Sequence, residues 1–195
     1  MVELQHGTEP AELAQFCVSY PQAEPQDFDK EIFASAKRAV RACLHRDQGG
    51  LCVYCETPLE PTRGQVDHIK PRGGNDAHPH LSFVYINYAH SCINNQTCGQ
   101  KKKSGILPIA PAPGCNAEWT LSTDGTIEPL ANLDRQRRQQ VTQTRDMLGL
   151  NKDAALVDER KKWFANALAI AQIMPGQLST FLQSAPYRYI MGTAL

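Results

Sequence analysis

The chain has 195 residues, which suit one domain or a small catalytic core with helical additions and are too few for a large multidomain machine. Its 20 Lys and Arg balance its 20 Asp and Glu, which excludes a globally basic nucleic-acid coat and an acidic disordered tail. No apolar run approaches the roughly 18 residues that span a bilayer. Glu3, Glu9 and Glu12 stand where a secretory signal needs an apolar block. We therefore expect no membrane segment and a cytoplasmic location.

The first 50 residues are predicted to be helical. A short helix is expected at residues 11–16. Apolar residues then recur at helical spacing between positions 32 and 44, and Gly49-Gly50 ends the run. Asp27 or Asp29 is expected to supply the N-cap of this second helix, because a short carboxylate can accept the free amides of a first turn.

The next segment carries most of the unusual residues. Short β-type runs are predicted at residues 51–54 and 66–69, on either side of a stretch rich in turn-forming residues. A loop follows, and a short helix is expected within residues 83–98. Two strands and a helix, bracketed by cysteine pairs, give the outline of a small ββα unit that a metal ion stabilises.

The last segment is predicted to hold a hairpin and two long helices. The hairpin is expected at 118–130. One helix should begin at Asn132 as its cap and end at Gly149, and another should run from Asn151 to a break at Pro175. The predicted class is α+β, with three segments that form one compact unit: a helical segment at 1–50, a ββα core at 51–104, and a hairpin with helices at 105–195.

Seven cysteines are unusual for a cytosolic protein, which rarely forms disulfides, and an odd number fits a disulfide framework poorly. The two-residue spacing of Cys52 and Cys55 lets one tight turn present two thiolates to one ion, and Cys92 and Cys98 can complete the tetrahedron that zinc prefers. A thiol redox role for the first pair is the weaker alternative, because the pair does not open a helix after a strand. The others are interpreted as small apolar residues: Cys17, Cys43 and Cys115.

Between the cysteine pairs lie Asp67 and His68. Neighbouring side chains of a strand point to opposite faces, so the two can serve one site only near a strand end, and Pro71 places such an end nearby. A carboxylate can hold a hard divalent cation and an imidazole can take a proton from water. Phosphodiester hydrolysis needs both functions. The alternative is an Asp that only orients a structural His.

The same segment contains amides and a local excess of positive charge. Asn87 is predicted either to be a neutral oxygen ligand or to hold a loop through backbone hydrogen bonds. Residues 63–103 carry six Lys and Arg against two acids. The run Lys101-Lys102-Lys103 is either solvated or grips phosphate. No feature of this segment indicates sequence-specific recognition of a nucleic acid.

Together these residues resemble the HNH nucleases with a ββα-metal core. The resemblance rests on CVYCE at 52–56, VDHIKP at 66–71, N-Y-x-x-S-C at 87–92 and C-G-Q-K-K at 98–102. The flanks RACLHRDQGGL at 41–51 and MLGLNKDAALVDER at 147–160 are similar to the HNH family of retron loci and of the Septu anti-phage system, whose B subunit is PtuB. The resemblance covers about residues 41–160, which is most of the chain.

The resemblance implies a role for each matching residue. It makes His68 the general base, Asp67 the ligand of a catalytic Mg²⁺ or Mn²⁺, and Asn87 the support of the loop that bears the base. It makes four cysteines the ligands of a structural Zn²⁺: Cys52, Cys55, Cys92 and Cys98. The sequence departs from the family at Gly99 and Gln100, where many relatives place an Asn or a His. The second ligand of the divalent metal is then Asn95, or alternatively Asn94 or Gln100.

The resemblance also implies partners. Septu nucleases cut DNA together with an ABC-type ATPase subunit, PtuA, and such a partner would account for the zero net charge of this chain. The helical flanks are the expected docking surfaces, with Trp163, Phe164 or the Tyr187-Arg188-Tyr189 segment as possible anchors. The alternative function is a zinc-stabilised nucleic-acid-binding or adaptor protein without catalysis.

Overall fold

The structure, a computed structural model, describes residues 1–195 and contains seven α-helices and two small antiparallel sheets. The α+β class predicted from the sequence is confirmed. No helix is long and apolar enough to cross a bilayer. In chain order the elements are α1 (Ala11–Ser19), α2 (Ala34–Asp47), β1 (Gln65–His68), β2 (Tyr88–Ser91), α3 (Cys98–Lys102), β3 (Trp119–Leu121), β4 (Ile127–Pro129), α4 (Arg135–Leu148), α5 (Ala154–Ile173), α6 (Leu178–Ser184) and α7 (Arg188–Gly192).

The central unit is a hairpin followed by a helix. Strands β1 and β2 pair antiparallel, with Asp67 opposite Ala89 and His68 opposite Tyr88, and α3 follows seven positions after β2 ends. The predicted strand at 51–54 is wrong: Leu51 makes only an isolated bridge with Pro58. The backbone there closes a tight turn, because the amide of Glu56 donates to the carbonyl of Cys52. The turn brings two thiols to one side, which a strand would not do.

The helix expected within residues 83–98 is also absent. A single 3-10 turn at Tyr85–Asn87 leads into β2, and the helix begins only at Cys98. All four residues of β2 are buried, since β1 bonds one edge and the amide of Val53 donates to the carbonyl of His90 on the other. A strand that is buried on both faces shows no alternation, so its periodicity cannot separate it from a helix.

Two predicted helix caps are misplaced in the N-terminal region. Helix α2 begins after Phe33, and neither Asp27 nor Asp29 caps it. Asp27 instead accepts the amide of Glu24 and closes a 3-10 turn, 2.8 Å away. Asp29 instead forms ion pairs with Lys37 and Arg72.

The C-terminal helices begin two or three residues later than predicted. Asp134 caps α4 by accepting the amide of Arg137 at 2.8 Å, and Asp153 caps α5, in place of Asn132 and Asn151. Both aspartates accept free amides of the first turn, and Asn151 serves β4 instead, because its Oδ1 accepts the amide of Ile127 at 3.0 Å. The predicted end of α4 is confirmed: Gly149 has a φ of 62°, a left-handed conformation that favours glycine. The predicted hairpin is confirmed as β3 and β4.

Two hydrophobic clusters hold the chain together. The larger joins the N-terminal residues, the cysteine turn and the C-terminal helices, and the smaller joins α1 and α2 to aromatic residues of the hairpin. The β1–β2 hairpin contributes Ala89 to the larger cluster and Val66 and Tyr88 to the smaller. The ββα unit is therefore fixed from both sides. The division into three segments stays a prediction.

Candidate metal centre and active site

The four paired cysteines converge on one point. Their Sγ atoms all lie within 4.8 Å of one another, with Cys52 and Cys98 3.8 Å apart and Cys55 and Cys92 3.9 Å apart. A tetrahedron with Zn–S bonds of about 2.3 Å has S–S edges of about 3.8 Å. The donor set and the spacing both fit a structural zinc ion. The cysteine turn after residue 51 supplies two ligands, the end of β2 a third, and the start of α3 the fourth.

The thiols of the cluster share one negative charge, which lies on Cys52: hydrogen bonding to Cys52, together with burial, raises the pKa values of the Cys55 and Cys98 thiols well above their usual value. Burial raises the pKa of the Cys52 thiol, but hydrogen bonds from the thiols of Cys55 and Cys92 outweigh burial and bring that pKa well below its usual value. The amide of Cys92 donates to Cys52 Sγ at 3.3 Å, and Thr57 Oγ1 lies 3.2 Å from Cys55 Sγ. The Cys92 amide stabilises negative sulfur at Cys52, which is the form that binds metal, whereas the Cys55 thiol donates to Thr57 Oγ1.

A buried guanidinium provides an independent observation on this cluster. Arg160 on α5 is 0% exposed, and its Nε and Nη1 atoms have no hydrogen-bond partner. Only Nη2 is satisfied, mainly by the carbonyl of Leu150 at 2.6 Å. Burial lowers the pKa of Arg160, and the charges of Cys55 and Cys98 raise it. A zinc ion with four thiolates carries a net double negative charge, so an unpaired cation beside it fits an occupied centre.

A cavity of about 270 Å³ opens beside β1. We call it the β1 cavity. Both Asp67 and His68 line it, although strand alternation sends their side chains in different directions, because β1 ends at His68 and the chain turns away. Its lining is mostly polar or charged, and the residues are Phe28, Asp29, Lys37, Gln65, Val66, Asp67, His68, Pro71, Arg72, Gly73, Lys103 and Ser104.

The ring of His68 is fixed in one orientation. Its Nε2 lies 3.1 Å from the carbonyl of Ser82, so this nitrogen carries the proton and donates it. Phe28 and Tyr88 pack edge-on against the ring, with centroids 4.5 and 5.1 Å away. Nδ1 makes no hydrogen bond within the chain and is not enclosed. Burial, despite the bond to Ser82, lowers the pKa of His68 to about 4. At neutral pH His68 thus presents an unprotonated Nδ1 to the β1 cavity.

The Asp67 carboxylate is held by one oxygen and free at the other. Oδ2 accepts the Tyr54 hydroxyl at 2.6 Å and lies 3.2 Å from the Lys102 ammonium. Oδ1 has no partner within the chain and is not enclosed. Burial raises the pKa of Asp67, and Lys102 opposes that rise. A carboxylate oriented in this way through its second oxygen fits one bond to a hard divalent cation.

Asn87 connects the two ends of the loop between the strands. Its Oδ1 accepts the amide of Lys70 at 2.8 Å, and its Nδ2 donates to the carbonyls of Lys70 and Leu81 at 3.0 and 3.1 Å. These bonds fix the backbone next to His68 on one side and next to Ser82 on the other. The amide is fully used for loop structure, and its functional role stays a prediction.

Basic side chains surround the mouth of the β1 cavity. Lys37 and Arg72 share the carboxylate of Asp29, and Lys37 Nζ stands 4.0 Å over the Phe28 ring. Lys103 lines the cavity as well. Three cations against two carboxylates give the cavity a positive balance that suits a phosphate group. The sequence pattern predicted phosphate contacts from the lysine run, but did not single out Lys37 or Arg72.

The interpretation of that lysine run needs one correction. Lys102 is neither solvated nor available to a ligand, because its side chain is 1% exposed and its ammonium also donates to the carbonyl of His68 at 2.9 Å. Only Lys101 and Lys103 remain at the surface. Tyr54 was likewise missed, since a Tyr between two cysteines carries no sequence signal of an Asp67 contact.

The three alternative metal ligands lie in different places. Asn94 donates to Asp153 at 2.7 Å and accepts the amide of Gln96, so it supports the start of α5. Asn95 is exposed and makes no side-chain hydrogen bond. Gln100 donates to Gln65 Oε1. None of the three lines the β1 cavity.

Comparison with known proteins identifies the family. No protein-family model matches the chain. The chain is 40% identical over 201 aligned residues, covering 98% of both proteins, to a retron Vc95 protein of Vibrio cholerae serotype O1 biovar El Tor that is named an HNH endonuclease. The chain belongs to the retron-associated HNH endonucleases. It is therefore an enzyme, a nuclease, and the adaptor and thiol redox alternatives lose their basis.

In an HNH endonuclease the arrangement around β1 can perform hydrolytic chemistry. The fixed imidazole of His68 can accept a proton, the free oxygen of Asp67 can bind a cation, and the basic rim can hold a phosphate. The cysteine cluster adjoins the same hairpin through Cys92, directly after β2, and fixes the start of α3 through Cys98. Lys102, at the end of that helix, reaches Asp67. Structural and reactive groups thus share one small scaffold.

Proposed function

We propose that this HNH endonuclease hydrolyses DNA phosphodiester bonds in the β1 cavity, with a divalent cation, Mg²⁺ or Mn²⁺, at Asp67. One observation carries the proposal: His68 offers an unprotonated Nδ1 to the cavity while its Nε2 is fixed to the Ser82 carbonyl. That is the state a general base needs before it meets water. The assignment of Asn87 as support for the loop is part of the same proposal.

In this proposal the phosphate enters between Lys37, Arg72 and Lys103. His68 Nδ1 takes a proton from a water molecule whose oxygen attacks the phosphorus. The bond from phosphorus to the leaving sugar oxygen breaks, and that oxygen takes a proton from solvent. A bound divalent cation would neutralise charge on the phosphate and on the leaving oxygen.

The Ser82 carbonyl stabilises the imidazolium that forms. It accepts the Nε2–H bond throughout, and this bond strengthens when the ring becomes positive. Asn87 keeps the carbonyl in place through the neighbouring carbonyl of Leu81. Without the loop bonds of Asn87, the ring would lose its fixed orientation, although it would keep its chemistry.

The test is nicking of supercoiled plasmid with Mg²⁺ by the zinc-loaded protein, alone and with its ATPase partner. His68→Ala should lower the cleavage rate by about 10²–10⁴-fold, the usual contribution of a positioned base. His80→Ala is the matched control, because this exposed histidine lies on the same loop and does not line the β1 cavity. Equal rates for His68→Ala and the wild type would disprove the proposal.

The biological setting proposed is anti-phage defence, with the chain as nuclease subunit of a complex with an ABC-type ATPase. The resemblance to PtuB and the zero net charge support a partner that supplies the wider DNA surface. Of the anchors considered, Phe164 and Tyr187 fill the protein's own core, and Trp163 packs on Phe181 with centroids 5.8 Å apart. Of the Tyr187-Arg188-Tyr189 segment, Arg188 and Tyr189 stay partly exposed and line a surface cavity, so they remain the proposed anchors.

Co-expression with an ABC-type ATPase of the PtuA kind from the same genome tests the proposed partnership. The two proteins should co-elute in size-exclusion chromatography, and cleavage by the complex should respond to ATP. Separate elution at micromolar concentration, with phage protection that does not require the ATPase gene, would contradict it.

A further inference from the structure

Gly99 on α3 faces the Asp67 carboxylate, and no side chain at position 99 fills the space between them. A Cβ atom placed on Gly99 would stand 2.5 Å from Gln65 Nε2 and 3.2 Å from Asp67 Cγ. Any side chain at this position would therefore project toward Asp67. Because glycine has no side chain, the carboxamide of Gln65 can extend into that space.

Gln65 reaches this place from the same strand as Asp67. The two residues are separated by one position on β1, so their side chains leave the same face. Gln65 also lines the β1 cavity. Its amide is within reach of the carboxylate because both stand next to the same point, the open space at Gly99.

A second amide holds the first one in position. Gln100 Nε2 donates to Gln65 Oε1 from the exposed side of α3. Turning both amides over replaces this bond by the reverse one, from Gln65 Nε2 to Gln100 Oε1. The two arrangements have the same number of hydrogen bonds, and the second places the Gln65 oxygen in the space at Gly99 that the Asp67 carboxylate also borders.

We propose that the Gln65 carboxamide oxygen is the second protein ligand of the divalent cation beside Asp67 Oδ1, with Gln100 as its positioning residue and Gly99 as the gap that admits it. The inference rests on the proposed function, since it concerns the same cation. Hard divalent cations take oxygen ligands, and Mg²⁺ usually keeps several waters, so one carboxylate and one amide are sufficient.

The other amides do not compete for this role. Both ends of the Asn94 amide are bonded, to Asp153 and to the amide of Gln96. All donors and acceptors of Asn87 that face the loop are bonded as well. Gln65 is the amide that borders the space at Gly99 together with the Asp67 carboxylate, and it also lines the β1 cavity.

Binding of Mn²⁺ alone to the zinc-loaded protein, followed by calorimetry and by the electron spin resonance signal of free Mn²⁺, tests the proposal without cleavage. Gln65→Ala should weaken binding by about tenfold or more, and Gln100→Ala by about tenfold, as for residues that orient a ligand. Gln65→Glu should tighten binding, because it adds a charged oxygen donor. Gln172→Ala, an exposed helical position on α5, should bind like the wild type.

A paired substitution provides the sharpest form of the test. Gln65→Ala removes the atom closest to a Cβ at position 99 and leaves Asp67 Cγ and Ser91 Oγ at 3.2 Å. Gly99→Asn in that background, with a small shift of those neighbours, places an amide oxygen beside Asp67 from the other side. The double variant should recover most of the Mn²⁺ affinity that Gln65→Ala loses. Zinc content and thermal melting confirm that each variant is folded.

Unchanged Mn²⁺ affinity in a folded Gln65→Ala protein would overturn the proposal. Weaker binding in both Gln65→Ala and Gln65→Glu would also overturn it, because the amide would then act as a hydrogen-bond donor. These outcomes concern Gln65 alone. Failure of the proposed function is seen in a different experiment, as plasmid cleavage by His68→Ala at the wild-type rate. If Gln65 is wrong and the function right, Gln65→Ala binds Mn²⁺ and cleaves normally while His68→Ala does not cleave.

Discussion

The ammonium of Lys102 lies 3.2 Å from the carboxylate of Asp67, and both side chains are nearly buried, at 1% and 12% exposure. The ion pair joins the C-terminal end of α3 to the end of β1. It leaves Asp67 Oδ1 free, because Tyr54 and Lys102 both contact Oδ2. The pair thus sets the direction in which the carboxylate faces and also neutralises it when no cation is bound.

Removal of one partner of this pair should destabilise the fold. Lys102→Met keeps the length of the side chain and leaves the Asp67 charge buried and unpaired, so we expect a loss of about 3 kcal/mol in the free energy of unfolding. Chemical denaturation without added Mg²⁺ measures it, with Lys101→Met on the exposed face as control. Added Mn²⁺ should restore more stability to Lys102→Met than to the wild type. Equal stability of all three proteins would contradict the role of the pair.

The cysteine cluster should bind zinc as part of folding. Cys92→Ser removes one thiolate and should lower bound zinc from one ion per chain, with a fall of several degrees in melting temperature. Cys17→Ser is the matched control, because this cysteine is exposed and lies outside the cluster. Elemental analysis of protein purified without added metal gives the stoichiometry. Full zinc content in Cys92→Ser would remove that residue from the ligand set.

The buried guanidinium of Arg160 should stabilise the occupied zinc centre. Arg160→Met removes the cation that opposes the negative charge of four thiolates, so we expect zinc affinity to fall by about tenfold, as for other groups that surround metal ligands. Competition with a coloured chelator measures the affinity. Arg138, a surface residue of α4, supplies the control substitution Arg138→Met. An affinity unchanged in Arg160→Met would assign the arginine to packing alone.

The buried imidazole of His68 should make the fold sensitive to acid. Its folded pKa of about 4 lies below the ordinary 6.5, so the unfolded chain binds more protons as pH falls through 6.5. Stability is therefore present above that pH and is lost progressively down to about pH 4. For this one group the loss between pH 7 and pH 5 is about 2 kcal/mol.

The difference between two proteins isolates this contribution. His68→Gln keeps a neutral polar side chain and should lose about 2 kcal/mol less than the wild type over the same interval. Because both proteins contain the same cysteines and His90, the acid sensitivity of those groups cancels. Parallel stability curves for the two proteins would show that His68 does not titrate in this way.

Local sequence signals were sufficient to predict the cysteine cluster and part of the fold. Two close pairs of cysteines predicted a convergent cluster, because the chemistry of thiolates constrains their spacing, and Gly149 predicted a helix end from backbone conformation alone. The hairpin at β3 and β4 followed from its turn residues. Such signals act over a few residues and need no tertiary information.

Contacts between distant segments could not be predicted in this way. Lys102 belongs to a run of three lysines, and only the packing of α3 on β1 decides which one is buried. Lys37 and Arg72 come from different segments and meet only at Asp29. The place of Gln65 beside Asp67 could not be predicted either, because it depends on the absence of a side chain at Gly99 on α3.

The strands of the ββα unit show the same limit. β2 is buried on both faces, so its sequence lacks the alternation that identifies a strand. The run at 51–54 has the composition of a strand, but the cysteine spacing folds it into a turn. In both cases tertiary contacts override local preference.

Chemical rescue of His68 tests most directly whether its free Nδ1 is the base. Single-turnover plasmid cleavage with Mg²⁺ is measured for the wild type and for His68→Gly, with and without added imidazole. We predict that His68→Gly cleaves about 10²–10⁴-fold more slowly and that imidazole restores part of its rate while leaving the wild type unchanged. The contradicting result is a His68→Gly rate equal to that of the wild type, with imidazole affecting neither.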